Sequence, residues 1–266
     1  LFELGTESLL FFRDPAVSFW AFITGTVWQP QAGTFGIWPL ILGTLLITII
    51  ALIVAVPIGL AAAIYLSEYA SPRVRGFFKP VLEILVGIPT VVFGFFAITF
   101  MTPLLRSIFG TSTVGFFNVL SAGIVVGILI VPLVSSLSED AMSAVPDSLR
   151  QAAYGLGASK LEVSLRIIVP AALSGIAAGI VIAMSRAIGE TMVVTLAAGA
   201  SPRNFDIGSD GIWYLLNPVQ GAPTMTGYVA ITASGDSSYN TIDYNSIGAI
   251  GLTLVFMTLG LISRSR

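Results

Sequence analysis

Several stretches of this chain stay apolar for longer than about 20 residues, the length that an α-helix needs to cross the hydrocarbon core of a bilayer. One of them, PLILGTLLITIIALIVAVPIGLAAAIYLS, occupies residues 39–67. A segment of this kind is too long and too apolar for a helix on the surface of a soluble domain. These runs predict an all-α fold that is a polytopic transmembrane helical bundle.

The composition supports a membrane location and excludes several classes of function. Hydrophobic residues make up 55% of the 266 residues and charged residues 10%, whereas soluble domains carry about 25% charged residues. The chain has no Cys and no His, so we expect no disulfide, no thiolate metal site and no histidine general base. A net charge of −2 argues against a nucleic-acid surface. No Gly-x-x-x-x-Gly-Lys-Ser/Thr motif occurs, so we expect neither ATP hydrolysis by this chain nor a bound cofactor.

Five membrane spans are predicted, and two of them carry small-residue spacings that favour close helix contacts. The spans cover residues 39–67, 80–104, 118–137, 167–198 and 244–263. Gly123-x-x-x-Gly127 and Gly175-x-x-x-Gly179 allow two helix backbones to approach closely, so they predict helix packing. Residues 1–38 are expected to form an external segment whose preceding helix is missing from this sequence, and residues 39–266 a transmembrane domain.

The distribution of basic residues predicts the orientation of the spans. With five spans, the loops at 68–79 and 138–166 lie on the same face as the C-terminus. Of the 12 Lys and Arg residues, eight belong to that face: Arg73, Arg75, Lys79, Arg150, Lys160, Arg166, Arg264 and Arg266. The opposite face holds only Arg13, Arg106 and Arg203. Because cytoplasmic loops are enriched in Lys and Arg, we predict that loop 138–166 is cytoplasmic and loop 199–243 external. The external loop is expected to be a lid, a docking surface or a solvated connector.

Two opposite charges interrupt the fourth predicted span, in the sequence SRAIGET at residues 185–191. A charged residue in the bilayer core costs about 2.5–3.5 kcal/mol on insertion scales, so it is rarely kept without a partner or a task. Arg186 and Glu190 are four residues apart and would share one face of a continuous helix. They are either a buried ion pair that holds this helix against a neighbour, or a pair that lines a pathway. In a pathway, Arg186 would donate to an oxyanion and Glu190 would hold the guanidinium.

A second pair at the same spacing, Lys79 and Glu83, lies at the inner mouth of the second predicted span. There both side chains can reach the interface, so we interpret them as a snorkelling ion pair without a functional role.

The cytoplasmic segment 138–166 is polar but carries an apolar stripe at helical spacing. Its sequence is SEDAMSAVPDSLRQAAYGLGASKLEVSLR, with a break at Gly155 and Gly157. We predict two short helices that lie either on the membrane or under a partner protein. The stripe consists of Leu149, Ala152, Ala153, Leu156, Leu161 and Leu165.

The same segment resembles the EAA loop of binding-protein-dependent ABC importer permeases, whose pattern is EAA, three residues, Gly, nine residues, Ile, one residue, Leu-Pro. The spacing agrees throughout, while Gln151 stands at the position of the Glu and Val169 at that of the Leu. The resemblance implies that this loop couples the membrane subunit to a cytoplasmic ATPase. The residues that it assigns to ATPase coupling are Gln151, Ala152, Ala153, Gly157 and Pro170.

Three longer stretches resemble the membrane subunits of bacterial phosphate importers. They are FGIWPLILGTLLITIIALIVAVPIGLAAAIYLSEYASP, GIPTVVFGFFAITFMTPLL and SRAIGETMVVTLAAGA. FITGTVWQP and IPTVVFGFFAITFMTPLL resemble the PstC type more than the PstA type. The resemblance implies a MetI-like permease in the bacterial cytoplasmic membrane, paired with a paralogous PstA-type subunit. Its further partners would be two cytoplasmic ATPases, an external phosphate-binding protein and phosphate.

The resemblance favours the pathway interpretation of Arg186 and Glu190 and implies transport by alternating access. Two other functions remain open at this point. One is a permease of the same architecture for another oxyanion such as molybdate or sulfate. The other is an ion-coupled secondary carrier, which the EAA pattern disfavours.

Overall fold

A computed structural model describes residues 2–200, 203–205, 214, 216–235 and 241–263 of the chain. The described residues are predominantly helical, which confirms the all-α prediction. Their only strands are β1 (Trp28–Gln29) and β2 (Thr34–Phe35), which pair antiparallel around a short 3₁₀ turn, Pro30–Ala32.

The described α-helices are numbered here in chain order. They are α1 (Phe2–Arg13), α2 (Phe19–Thr24), α3 (Trp38–Ile64), α4 (Pro72–Val86), α5 (Thr90–Phe96), α6 (Thr102–Phe109), α7 (Val119–Ser143), α8 (Asp147–Gly155), α9 (Lys160–Val163), α10 (Val169–Ala171), α11 (Leu173–Ile188), α12 (Met192–Ala198), α13 (Met225–Ser234) and α14 (Ile242–Ser263). Three π-helical turns continue α3, α5 and α9: Tyr65–Tyr69, Ala97–Met101 and Ser164–Ile168.

Within the described residues, four helical stretches are long and apolar enough to cross a membrane. They are Trp38–Tyr69, Thr90–Phe109, Val119–Ser143 and Ile242–Ser263. A fifth is added if Lys160–Ala171 and Leu173–Ile188, which are bent by 70° relative to each other, count as one span. The predicted spans therefore have counterparts in the structure, but three of them, 80–104, 118–137 and 167–198, have different limits.

The second span begins at Thr90 rather than at residue 80. The stretch before it is the separate helix α4, which ends at Val86 and is followed by Gly87, Ile88 and Pro89. A residue that precedes proline is disfavoured in the helical region of φ/ψ space, so Pro89 prevents α4 and α5 from joining into one helix. The amphipathic α4 has Ser71 as its N-cap, whose hydroxyl accepts from the N–H of Val74 at 3.4 Å.

The chain divides into two compact units, of which the first comprises Leu1–Ile50, Pro89–Val126 and Ala187–Gly260. Its core is aromatic: the fully buried Trp28 lies edge-to-face with Phe35 and Tyr228, at centroid distances of 5.7 and 5.0 Å. Helix α1 packs closely on α14 at Gly248, where an added Cβ would lie 2.6 Å from the Cβ of Glu7. The first residues of the chain are therefore an integral part of this unit.

The second unit comprises Ala51–Ile88, Gly127–Arg186 and Leu261–Arg266. Its helices approach closely at glycines. A Cβ on Gly175 would lie 2.7 Å from the Cβ of Ala141, and one on Gly179 would lie 2.9 Å from the Cβ of Leu137. Gly127 faces Val54 in the same way, at 2.8 Å. The helix-packing role predicted for these glycines is confirmed.

Candidate functional site

Helix α8 and the turn after it form the centre of the predicted coupling loop. The helix is stopped by Gly157, whose φ of +82° lies in the left-handed region that favours glycine. The N–H of Gly157 donates to the carbonyl of Tyr154 at 3.0 Å, and the N–H of Ala158 donates to that of Ala153 at 3.1 Å. Because these bonds satisfy the last carbonyls of α8, the local sequence is sufficient to end this helix.

Helix α9 starts just beyond that turn through a capping box. The hydroxyl of Ser159 accepts from the N–H of Glu162 at 3.4 Å, and the Glu162 carboxylate accepts from the N–H of Ser159 at 2.9 Å. Helices α8 and α9 are therefore two separate short helices, as predicted. The predicted loop itself starts later than residue 138, because α7 continues to Ser143.

The residues of α8 that the EAA pattern singles out divide between two environments. Ala153 is buried at 5% exposure, whereas Gln151 and Ala152 are exposed. Leu156, directly after the helix, is 89% exposed, which is unusual for a leucine that lies outside the candidate spans. Five exposed residues of α8 and the turn after it are named here the coupling surface: Leu149, Gln151, Ala152, Tyr154 and Leu156.

Pro170, the last residue assigned to coupling, lies farther along the chain. It is exposed in α10, which ends at Ala171, immediately before the 70° bend that precedes α11. A proline removes a backbone donor and favours such bends, so Pro170 lies where the chain changes direction between the stretch Lys160–Ala171 and α11.

Arg150, on α8, makes the densest set of polar contacts in the second unit. Its guanidinium forms an ion pair with Glu68, with Nη2 at 3.0 Å from Oε1 and Nε at 3.5 Å from Oε2. It also donates to the carbonyls of Met142 at 2.9 Å and Val145 at 2.7 Å, and to the carboxylate of Asp147 at 3.1 Å. The hydrogen bond to Glu68 raises the pKa of Arg150 above its ordinary value. This side chain therefore attaches α8 to two preceding segments of the chain.

A second ion-pair cluster joins α4 to the end of α7. Glu139 has a side chain only 1% exposed, and it accepts from Arg75 and, at 3.0 Å, from the ammonium of Lys79. Lys79 also contacts Asp140 at 2.6 Å, and these hydrogen bonds, to Asp140 first and Glu139 second, raise its pKa. The predicted pairing of Lys79 with Glu83 is wrong, because two carboxylates from a packed neighbouring helix are available to the ammonium.

Sequence reasoning missed Glu68 and Glu139 as partners. It considered charges four residues apart on one helix, whereas these carboxylates meet cations 82 and 64 residues away. The available signal was the presence of an acidic residue near the end of an apolar segment, where a buried carboxylate requires a cation.

Arg186 lies in the last turn of α11 and is exposed, although the segment around it is apolar. Among the described residues, no carboxylate lies within ion-pair distance of its guanidinium. The arrangement leaves the donors of this arginine available to a ligand or to a partner chain.

Glu190 lies outside α11, because the helix ends at Ile188 and a break at residues 189–191 follows. Its carboxylate is buried at 6% exposure and accepts from the N–H groups of Met192 at 3.1 Å and Val193 at 3.3 Å. The predicted span 167–198 placed Arg186 and Glu190 on one face of a continuous helix. This prediction is wrong, because α11 ends at Ile188, between the two residues. Glu190 instead accepts from the first N–H groups of α12, which have no acceptor within the helix itself.

A substitution at Glu190 tests this capping function. Glu190→Gln keeps a carbonyl oxygen and should leave the unfolding midpoint in detergent nearly unchanged. Glu190→Leu should lower it, because the buried N–H of Val193 loses its acceptor, at about 1–3 kcal/mol, and the part-buried N–H of Met192 loses the same acceptor. Glu83→Leu is the matched control, since Glu83 is an exposed carboxylate. Equal midpoints for the two Glu190 variants would contradict the capping function.

The predicted external loop 199–243 contains helix α13 and a set of hydrogen bonds from Arg203 to backbone carbonyls. The half-buried Arg203 donates to the carbonyls of Asn217 and Gly221, both at 2.9 Å, and burial lowers its pKa. Residues 201–202, 206–213, 215 and 236–240 of this loop lie outside the described residues. Arg203 thus holds together the described residues on both sides of this part of the loop.

Comparison with known proteins gives matches over most of the chain. Residues 55–265 match the family described as "Binding-protein-dependent transport system inner membrane component". The chain is 32% identical over 257 residues to the probable ABC transporter permease protein YqgH of Bacillus subtilis strain 168, covering 96% of this chain and 79% of the relative. It is 27% identical over 263 residues to the phosphate transport system permease protein PstC of Mesorhizobium japonicum, covering 92% and 77%.

The fold is also similar to solved ABC transporters. A bacterial ABC transporter involved in the import of the acidic polysaccharide alginate superimposes with a TM-score of 0.65 at 15% identity, covering 100% of this chain and 87% of that one. At this level of identity the likeness concerns the fold alone, and it extends over the whole chain.

Proposed function

We propose that phosphate is the substrate of this chain, which belongs to the family of binding-protein-dependent transport system inner membrane components. Membership of this family makes it a multi-pass membrane permease of the MetI-like ABC importer type. It would form the anion pathway with a paralogous PstA-type permease, receive phosphate from an external binding protein and be driven by two cytoplasmic ATPases. The PstC name of the Mesorhizobium relative supports phosphate, whereas the name of the Bacillus relative states no substrate.

Arg186 carries this proposal. An arginine in an apolar membrane segment costs about 2.5–3.5 kcal/mol, and this one has no carboxylate partner among the described residues. A guanidinium offers planar, paired donors that match two oxygens of a tetrahedral oxyanion. An unpaired, exposed guanidinium at this position is the arrangement that binding of a phosphate anion requires, because a guanidinium neutralised by a carboxylate would attract the anion only weakly.

Glu190 contributes to the proposed pathway in a different way from the one predicted from sequence. It fixes the break at residues 189–191, close to Arg186 along the chain, by holding the start of α12. Broken helices in transporters are tolerated where they border a cavity, and substrate sites are typically found there. Glu190 would thus shape the pathway through the backbone while Arg186 contacts the anion.

The coupling surface supports the ATPase partnership. Tyr154 on α8 and Leu156 directly after it are exposed, as are Ala152 and the turn at Gly157. Exposed apolar residues close together in the chain and outside the candidate spans favour a protein contact. We propose that α8 enters a groove on the ATPase, with Gln151 donating or accepting hydrogen bonds at its edge.

The proposed function is tested by reconstitution. The chain is co-expressed with a PstA-type permease, the ATPase and the phosphate-binding protein, and uptake of radiolabelled phosphate into proteoliposomes is measured. We expect ATP-dependent uptake that unlabelled phosphate suppresses and that an equal concentration of molybdate or sulfate leaves largely intact. The matched control is the same complex with the Walker A lysine of the ATPase replaced, which should take up no phosphate.

The two other functions give different results in the same assay. Stronger suppression by molybdate or sulfate than by phosphate would identify a permease for another oxyanion. Uptake by this chain in the absence of any ATPase, driven by an ion gradient, would identify a secondary carrier. Either result would overturn the proposed function.

A further inference from the structure

The guanidinium of Arg150, on α8, reaches the π-helical turn Tyr65–Tyr69 that ends the first candidate span, where it pairs with Glu68. We propose that Arg150 and Glu68 are a positioning pair, through which a displacement of α8 is transmitted to that span. This inference rests on the proposed function, because it requires that α8 be moved by an ATPase.

The geometry of the pair suits a rigid connection. The side chain of Glu68 is 4% exposed and that of Arg150 is 17% exposed, and both carboxylate oxygens face the guanidinium. Ser67 donates to Glu68 Oε1 at 2.9 Å and thereby orients the carboxylate. A buried carboxylate that loses its cation is strongly destabilised, so α8 cannot shift without carrying Glu68 or breaking this contact.

The same guanidinium also binds the segment that precedes α8. It donates to the carbonyl of Met142, in the last turn of α7, and to that of Val145 in the following turn. One planar group therefore connects α8, the end of the third candidate span and the π-helical turn. A lysine could not replace it, because an ammonium lacks the flat fork that reaches a carboxylate and two carbonyls together.

A second contact reaches the π-helical turn from the other side of Gly157. The ammonium of Lys160, the first residue of α9, lies 5.0 Å from the centroid of the Tyr69 ring. Both α8 and α9 therefore contact Tyr65–Tyr69. Single π-turns occur frequently at functional sites, and at this one both short helices meet the end of a membrane span.

The test uses the complete importer in proteoliposomes and measures ATP hydrolysed per phosphate taken up. Arg150→Lys and Glu68→Gln should each raise this ratio about 10-fold, a size typical of coupling between two sites, while the ATPase remains bound. The double variant should be no worse than the more affected single variant, because the two residues act through one contact. Arg73→Lys is the control, since Arg73 is an exposed arginine of the same face, and it should leave the ratio unchanged.

Each alternative result has a defined meaning. An unchanged ratio in Arg150→Lys, or effects that multiply in the double variant, would overturn the positioning role. Loss of the bound ATPase in both single variants would overturn it as well, because the contact would then serve assembly. A wild-type complex that assembles but takes up no phosphate would overturn the proposed function, and this outcome is read before any variant is compared.

Discussion

Replacing Arg186 with alanine is expected to abolish phosphate uptake while the chain still inserts and assembles with its partner subunits. Truncating one partner of a desolvated, hydrogen-bonded charge pair costs about 2–5 kcal/mol, which corresponds to a loss of roughly 30-fold or more at low phosphate. Because no described carboxylate pairs with Arg186, its removal leaves no buried acid without a partner. The measurement is radiolabelled phosphate uptake, normalised to co-purified ATPase.

Two further variants at this position separate contact with the anion from support of the fold. Arg186→Lys keeps the charge but loses the paired donors, so uptake should fall by about 10-fold, as expected for the loss of one charge-assisted hydrogen bond. Arg186→Leu removes a charge from an apolar segment and should not impair insertion. An assembled Arg186→Leu complex with near-normal uptake would show that Arg186 is scaffolding.

Replacing Gly157 with tryptophan is expected to release the ATPase or to uncouple it, without affecting membrane insertion. An added Cβ at Gly157 meets no atom within 4 Å, so the chain itself has room for a larger residue. The proposed ATPase groove does not, because a bulky side chain at this turn would hold α8 away from it. Co-purification of the ATPase and ATP-dependent phosphate uptake are measured together.

The φ of +82° at Gly157 requires its own control. Gly157→Ala introduces the backbone strain of a left-handed residue, about 1–2 kcal/mol, without bulk, so it should retain most of the ATPase binding. Gly76→Trp places the same side chain on an open glycine of α4 and should leave binding intact. Full ATPase association and full uptake in Gly157→Trp would refute docking at this turn.

The membrane spans could be predicted closely because transfer into hydrocarbon depends on local sequence. The predicted segments 39–67 and 244–263 correspond to Trp38–Tyr69 and Ile242–Ser263. The turn at Gly157 was predictable for a similar reason, since a helix stop needs only a few neighbouring residues. The spacing of the EAA pattern was sufficient to find α8 within segment 138–166.

The interruptions within the spans were harder to predict, because they depend on which buried groups compensate for a broken helix. The apolar composition around SRAIGET indicates one helix from 167 to 198, yet α11 ends at Ile188. The break is stable because the Glu190 carboxylate and the first N–H groups of α12 satisfy each other. The apolar composition of this segment does not indicate that a side-chain carboxylate replaces backbone carbonyls as the acceptor for these N–H groups.

The sequence alone determined that this chain crosses a membrane several times, and it located the EAA pattern within segment 138–166. Only the tertiary structure decided which charges meet. Glu68 pairs with Arg150 across 82 residues and Glu139 with Lys79 across 60. Arg186 and Glu190 are four residues apart, but Glu190 lies in the break that follows the helix of Arg186. The physical reason is that a buried charge must find a partner in space, and the neighbours of a residue in space are set by helix packing.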